Sequence, residues 1–208
     1  MNKHFFLIII VCSFVLFSMG CSNKQGPTIS PNMESEYTTT FQALNIGTLF
    51  DFEFYSPTVD ENWVTIWVER YVDGVKDPLP ITEISFSNGH YEIGKGPLGF
   101  GIINPNAEES FVFLYGPSVS TQPSKIENLF KKDFPSAWGY AISDKKIKIE
   151  LEETMLLAVY RQSGQKNFMR AVDLQDESDL EKMINEDSTV LLLKIRIGTE
   201  PGAAASGV

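Results

Sequence analysis

Leu49-Phe50-Asp51-Phe52-Glu53-Phe54-Tyr55 alternates rings and carboxylates without a break. A strand sends successive side chains to opposite faces, so Phe50, Phe52 and Phe54 share one face while Asp51 and Glu53 share the other. That is the pattern of a half-buried β-strand, with rings entering a core and acids meeting water. Trp63 to Val72 repeats it, with Val64, Ile66 and Val68 opposite Trp63, Thr65, Trp67 and Glu69. Asp73-Gly74 then supplies turn chemistry, because Gly accepts positive φ and Asp tolerates it. Thr82, Ile84 and Phe86 mark the next strand. Asn88-Gly89, followed by Tyr91 and Ile93, carries the strongest hairpin signal in the chain.

Further along, Phe111-Val112-Phe113-Leu114-Tyr115 is a continuous apolar run, which suits a central strand. Residues 123–130 fit a short helix with Ile126, Leu129 and Phe130 on one side. Residues 137–142, then Ile147, Ile149 and Leu151, then 155–160 and 168–172 read as strands. One helix stands out: Ser178 caps it, Glu181 completes a capping box, and Leu180, Met183 and Ile184 form its apolar stripe. Residues 189–197 make the last strand, with Leu191, Leu193, Ile195 and Ile197 inward. The Gly- and Ala-rich residues 198–208 read as a disordered tail. Short strands, turn signals at intervals of about 8 to 12 residues and one late helix predict an all-β fold. Specifically, residues 38–197 are expected to form an antiparallel β-sandwich, Ig-like or similar, with one short C-terminal helix.

The chain has 208 residues, 43% hydrophobic and 12% aromatic, which is ample for one core. Its net charge of −10 argues against nucleic acid and against a basic patch on anionic lipid. The two cysteines are Cys12 and Cys21.

The N-terminus has its own logic. Lys3 and His4 precede an apolar run from Phe5 to Phe17, and Ser18-Met19-Gly20-Cys21 follows. A basic start, a short apolar core and small residues describe a secretory signal, and the run is short for a spanning helix of roughly 20 apolar residues. Ser18-Met19-Gly20-Cys21 resembles the lipobox of bacterial lipoproteins. The resemblance implies a signal peptide over 1–20, lipidation of Cys21 by chains such as palmitate, and anchoring outside the cytoplasm at the cell membrane. Two acyl chains give stable anchoring where one is marginal. The alternatives are an uncleaved membrane helix, or secretion with an incidental Cys21. Residues 21–37, rich in Ser, Asn, Pro and Gly, read as a flexible tether.

Among chemical signals, Gly94-Lys95-Gly96-Pro97-Leu98-Gly99 matches G-x-G-x-x-G, yet Pro97 and the absence of a following helical pattern favour a glycine-rich loop or bulge between strands. Ser143-Asp144-Lys145-Lys146 fits S-x-x-K but sits in a polar turn. Asp173, Asp176, Glu177 and Asp179 are dense enough for calcium, although acids before a helix also suit its dipole. His90 stands alone, and the pairs Asp60-Glu61, Glu108-Glu109 and Glu152-Glu153 point to opposite faces of any strand. No motif implies a metal or a cofactor. Trp63, Trp67 and Tyr71 share one strand face and form the best candidate binding surface, for a protein or carbohydrate partner in the envelope. The expected function is a membrane-anchored binding or interaction module without catalysis. The alternative is a lipid-anchored hydrolase with a carboxylate or metal site.

Overall fold

The computed structural model describes residues 26–57, 62–87 and 94–203. Cys21 and the leader lie outside them, as do Asp60-Glu61, the Asn88-Gly89 turn, His90, Tyr91 and Ile93.

Two antiparallel sheets pack face to face as an all-β sandwich. Numbered along the chain, the first sheet holds β1 (Thr28–Pro31), β2 (Gly47–Tyr55), β6 (Lys95–Ile103), β7 (Glu109–Gly116), β8 (Val119–Ser120), β9 (Ser124–Glu127) and β11 (Ile147–Lys148). Its order is β11-β1-β2-β6-β7-β8, with β9 also on β7. The second holds β3 (Trp63–Val72), β4 (Val75–Lys76), β5 (Thr82–Phe86), β10 (Ser136–Tyr140), β12 (Thr154–Gln162) and β13 (Thr189–Gly198), in the order β10-β12-β13-β3-β4, with β5 also on β3. Helix α1 (Glu36–Ala43) covers part of the first sheet, and α2 (Glu177–Glu186) part of the second.

The core is what the alternation predicts. Phe50, Phe52 and Phe54 of β2 join Leu98, Phe100 and Ile102 of β6, and meet Val64, Ile66 and Val68 of β3 and the inward residues of β13. Each fully buried Phe contributes about 1.5–3 kcal/mol. A bulge in β12 between Leu156 and Ala158 turns both Leu157 and Ala158 inward, while Leu156 and Val159 face a second, smaller core under α2. An extra residue in one strand is what a bulge provides.

Several local expectations change. The tether region contains β1, which pairs with β2 and β11 and fully buries Ile29. It also contains the start of α1, whose cap is Ser35, with Oγ accepting from the Thr38 amide at 3.1 Å. The domain therefore begins before residue 38; one buried Ile leaves no hydrophobic period to read. Residues 123–130 contain the strand β9 rather than a helix, because β7 offers an open edge that tertiary pairing fills. Strand β7 is not buried on both faces: Val112 and Leu114 are fully buried, whereas Phe111, Phe113 and Tyr115 are only half-buried. Residues 168–172 are irregular, with Val172 packed into the small core beside α2. The cap of α2 is Asp176, whose Oδ1 accepts from the Asp179 amide at 2.9 Å, not Ser178. The start of the tail is tied down. Thr199 N donates to Glu152, and Gly202 N donates to the Thr65 and Ser85 hydroxyls at 3.2 and 3.0 Å.

Candidate functional site

The Trp63/Trp67/Tyr71 face is outward on β3, as its register requires, but it is no open aromatic surface. Trp67 is 3% exposed, and Trp63 and Tyr71 are half-buried. The reason is Glu69, itself buried between them. Its Oε1 accepts from Trp67 Nε1 at 3.2 Å and from Lys76 Nζ at 2.9 Å. Its Oε2 accepts from Tyr71 OH at 3.2 Å and from Lys194 Nζ at 2.9 Å. Burial alone would raise the Glu69 carboxyl, but the Lys194, Lys76 and Trp67 hydrogen bonds together hold it below its ordinary value. The Tyr71 hydroxyl is pushed up to about 12, by burial and by the Glu69 charge beside it. Tyr71 also packs against the small core that Met183 and Leu192 form under α2. Glu69 thus engages the Trp67 N–H and the Tyr71 hydroxyl, and of the three rings Trp67 is the one fully covered.

The outer face of the first sheet is built by glycines. Gly99 and Gly101 belong to β6, so the G-x-G-x-x-G stretch is strand and not loop. Pro97 is tolerated because β6 pairs only with β2 at that point; its pairing with β7 begins at Gly99. Where Gly99 and Gly101 lack side chains, the rings of Tyr115 and Phe113 lie down across the sheet: a Cβ at Gly101 would stand 2.1 Å from the Phe113 ring. Phe41 and Tyr37 of α1 meet Phe113 and Tyr115 at centroid distances of 6.0 and 6.1 Å. These four rings border a recess of about 800 Å³. Below it, Asp51 is 1% exposed, and Tyr115 OH donates to its Oδ1 at 2.7 Å. Burial pushes the Asp51 carboxyl above its ordinary value, only partly offset by the Ser35 and Tyr115 hydroxyls and the Phe52 amide. The same burial and hydrogen bond raise the Tyr115 hydroxyl. The expected water-facing acid of the β2 alternation is thus roofed over by a ring.

The open aromatic surface lies elsewhere. Trp138, on the edge strand β10, is 59% exposed. Its indole stacks on Tyr160 of β12 at 5.8 Å and 4°, while Tyr160 is 2% exposed and belongs to the core. One indole face is therefore backed by a fixed ring and the other is free. Across from it, the α1–β2 connection and the β6–β7 loop bring Asn45, Thr48, Asn104 and Asn106 into one cleft of about 610 Å³ with Ser136 and Trp138. Asn45 and Asn104 hold left-handed backbone at φ 51° and 53°, fixed by hydrogen bonds from Asn45 N to Gln42 O and from Asn104 N to Ile46 O. Asn tolerates that region better than most residues. Alternation alone places Trp138 and Tyr140 on one strand face, yet no local signal distinguishes an edge strand, so sequence reasoning passed over Trp138.

Other sequence candidates are engaged structurally. Asp179 binds Arg170 and the Asp173 amide, Asp173 the Gln175 amide, and Asp176 caps α2. Among the described residues, no group of three or more His, Cys, Asp or Glu gathers to hold a metal ion. Glu109 pairs with Lys125 and Glu152 with Arg196, on exposed and separate strands or turns. Ser143 to Lys146 form a bent connection between β10 and β11. No protein-family model, curated protein or solved structure matches the chain.

Proposed function

We propose that the protein is a lipid-anchored, extracytoplasmic binding module. Cys21 carries the anchor and the Trp138 cleft carries the ligand. The observation that supports the binding reading is the Trp138 indole: a large ring left open to solvent yet held flat on the buried Tyr160. A rigid exposed aromatic loses little conformational freedom on binding and brings a large apolar area to the contact. The Ser18-Met19-Gly20-Cys21 resemblance supports the anchor. Among the described residues no helix is long and apolar enough to cross a membrane, so attachment in this reading is the task of the N-terminal lipid.

Membrane fractionation with metabolic palmitate labelling tests the anchor. Cys21→Ala is expected to abolish labelling and release the protein into the soluble fraction without changing the unfolding midpoint of the domain. A Cys21→Ala protein that stays with membranes through an alkaline carbonate wash would overturn this assignment.

A further inference from the structure

We infer that the Trp138 cleft takes an uncharged glycan of more than one sugar ring. This rests on the binding-module reading and names its ligand. Three features of the cleft converge on that chemistry.

The first is the platform. A pyranose ring presents a face of C–H groups bounded by hydroxyls, and such a face is buried well against a flat aromatic ring. The free face of Trp138 is that surface, and Tyr160 behind it prevents the indole from turning away.

The second is the opposing wall. Asn45, Asn104 and Asn106 each carry a carbonyl acceptor and an NH₂ donor. None of the three side-chain amides makes a hydrogen bond within the described residues; the bonds at Asn45 and Asn104 all use those residues' own backbone atoms. A sugar hydroxyl is donor and acceptor at once, so neighbouring hydroxyls match an array of free amides. Thr48 and Ser136 add two hydroxyls of the same dual character.

The third is charge. Among the described residues, no Lys, Arg, Asp, Glu or His lines this cleft, in a chain of net charge −10. A phosphate or sulfate would find no counter-charge there, and a cation no carboxylate. The ligand is thereby polar, uncharged and flat on one side. Its length follows from the neighbouring recess of about 960 Å³, which shares Pro105, Asn106 and Ala107 with the cleft and presents Phe130 and Phe134 beside Glu108, Lys131, Lys132 and Asp133, whose formal charges cancel. A second ring leaving Trp138 passes Asn106 and enters it.

The test uses the full lipid-bearing protein in detergent micelles, labelled with 5-fluorotryptophan. Fluorine resonances report Trp138 separately from Trp63 and Trp67. The probes are uncharged β-1,4-linked tetramers of glucose and of N-acetylglucosamine, and the uncharged glycan fraction of bacterial envelopes. At least one is expected to shift the Trp138 resonance saturably while that of the buried Trp67 stays in place. Asn104→Ala and Asn106→Ala should each weaken binding about tenfold, and Trp138→Ala, read by isothermal titration calorimetry because it lacks the reporter, should remove it; an unmoved Trp67 resonance shows that each variant is folded. If an extended peptide or an envelope protein fraction moves Trp138 while every glycan leaves it still, the saccharide assignment fails and the binding-module reading stands. If nothing from the envelope moves Trp138, both fail. Glycan binding retained in Trp138→Ala would place the site elsewhere and overturn the inference.

Discussion

Gly101→Ala tests whether the glycines of β6 exist to make room for rings. On an ordinary strand this change stabilises by about 0.5–1 kcal/mol, because Gly loses more backbone freedom on folding than Ala. Here the new Cβ would lie 2.1 Å from Cε1 and 2.2 Å from Cζ of Phe113, against an ordinary contact of about 3.5–4.0 Å. The backbone of Gly101 is not in the left-handed region, and no backbone atom is among the near contacts. The ring must therefore move by more than an ångström, and it leaves its contacts with Phe41 at 6.0 Å and Tyr115 at 6.2 Å. Overpacking of this kind costs about 1–3 kcal/mol. With a urea m-value of about 2 kcal/mol/M, the midpoint should fall by about 0.5–1.5 M at constant m. The same substitution in a Phe113→Ala background meets open space and should cost nothing, or regain part of the backbone gain. The coupling in this double-mutant cycle should be about 2 kcal/mol. Gly99→Ala is the contrast: its Cβ would meet the Phe50 carbonyl oxygen at 2.1 Å as well as the Tyr115 hydroxyl at 2.3 Å, so truncating Tyr115 relieves only part of the cost. Equal cost of Gly101→Ala in both backgrounds, or a Gly101→Ala protein as stable as the parent, would refute the reasoning.

Two further predictions concern buried charge. Glu69→Gln should cost about 2–3 kcal/mol, since it weakens charge-assisted bonds from Lys194 and Lys76. The folded-state pKa of Glu69 lies below its ordinary 4.5, so its contribution is complete above that pH and is lost as pH falls below it; the variant should show a flatter acid limb in urea midpoint against pH. Arg161 Nη1 donates to Asp187 Oδ2 at 2.8 Å, with side chains 6% and 8% exposed. Arg161→Leu should therefore cost about 3–5 kcal/mol by leaving Asp187 buried and unpaired, and adding Asp187→Leu should recover most of it in thermal unfolding. A single variant as unstable as the double would show that lost packing of the arginine stem, and not the orphaned carboxylate, sets the cost.

What the chain declares locally is its sheet-facing pattern. Alternation at Phe50-Asp51-Phe52-Glu53-Phe54 and at Trp63 to Val72 determined which residues enter the core, because one face of each strand must leave water. The last strand, the apolar stripe of α2 and the all-β class followed from the same rule. The lipobox resemblance at Cys21 is also purely local, since an export signal is read on an extended chain. Tertiary structure alone decided which aromatic is free: Trp138 shares the core-facing side of its sheet with Tyr160 and Tyr140 but stands at the rim. Trp67 and Trp138 are alike in sequence terms, each an indole on an alternating strand. Trp67 lies on β3, between β13 and β5, where Glu69, Lys194 and Tyr71 close over its side of the sheet. Trp138 lies on β10 at the rim, where Tyr160 of β12 stacks on the ring and more than half of the side chain stays exposed among the described residues. The carboxylate of Asp51, outward by alternation, is buried for the reciprocal reason: Gly99 lets Tyr115 fold down onto it. Exposure depends on neighbours that are distant in the chain, so it is a property of sheet order, which no stretch of sequence carries by itself.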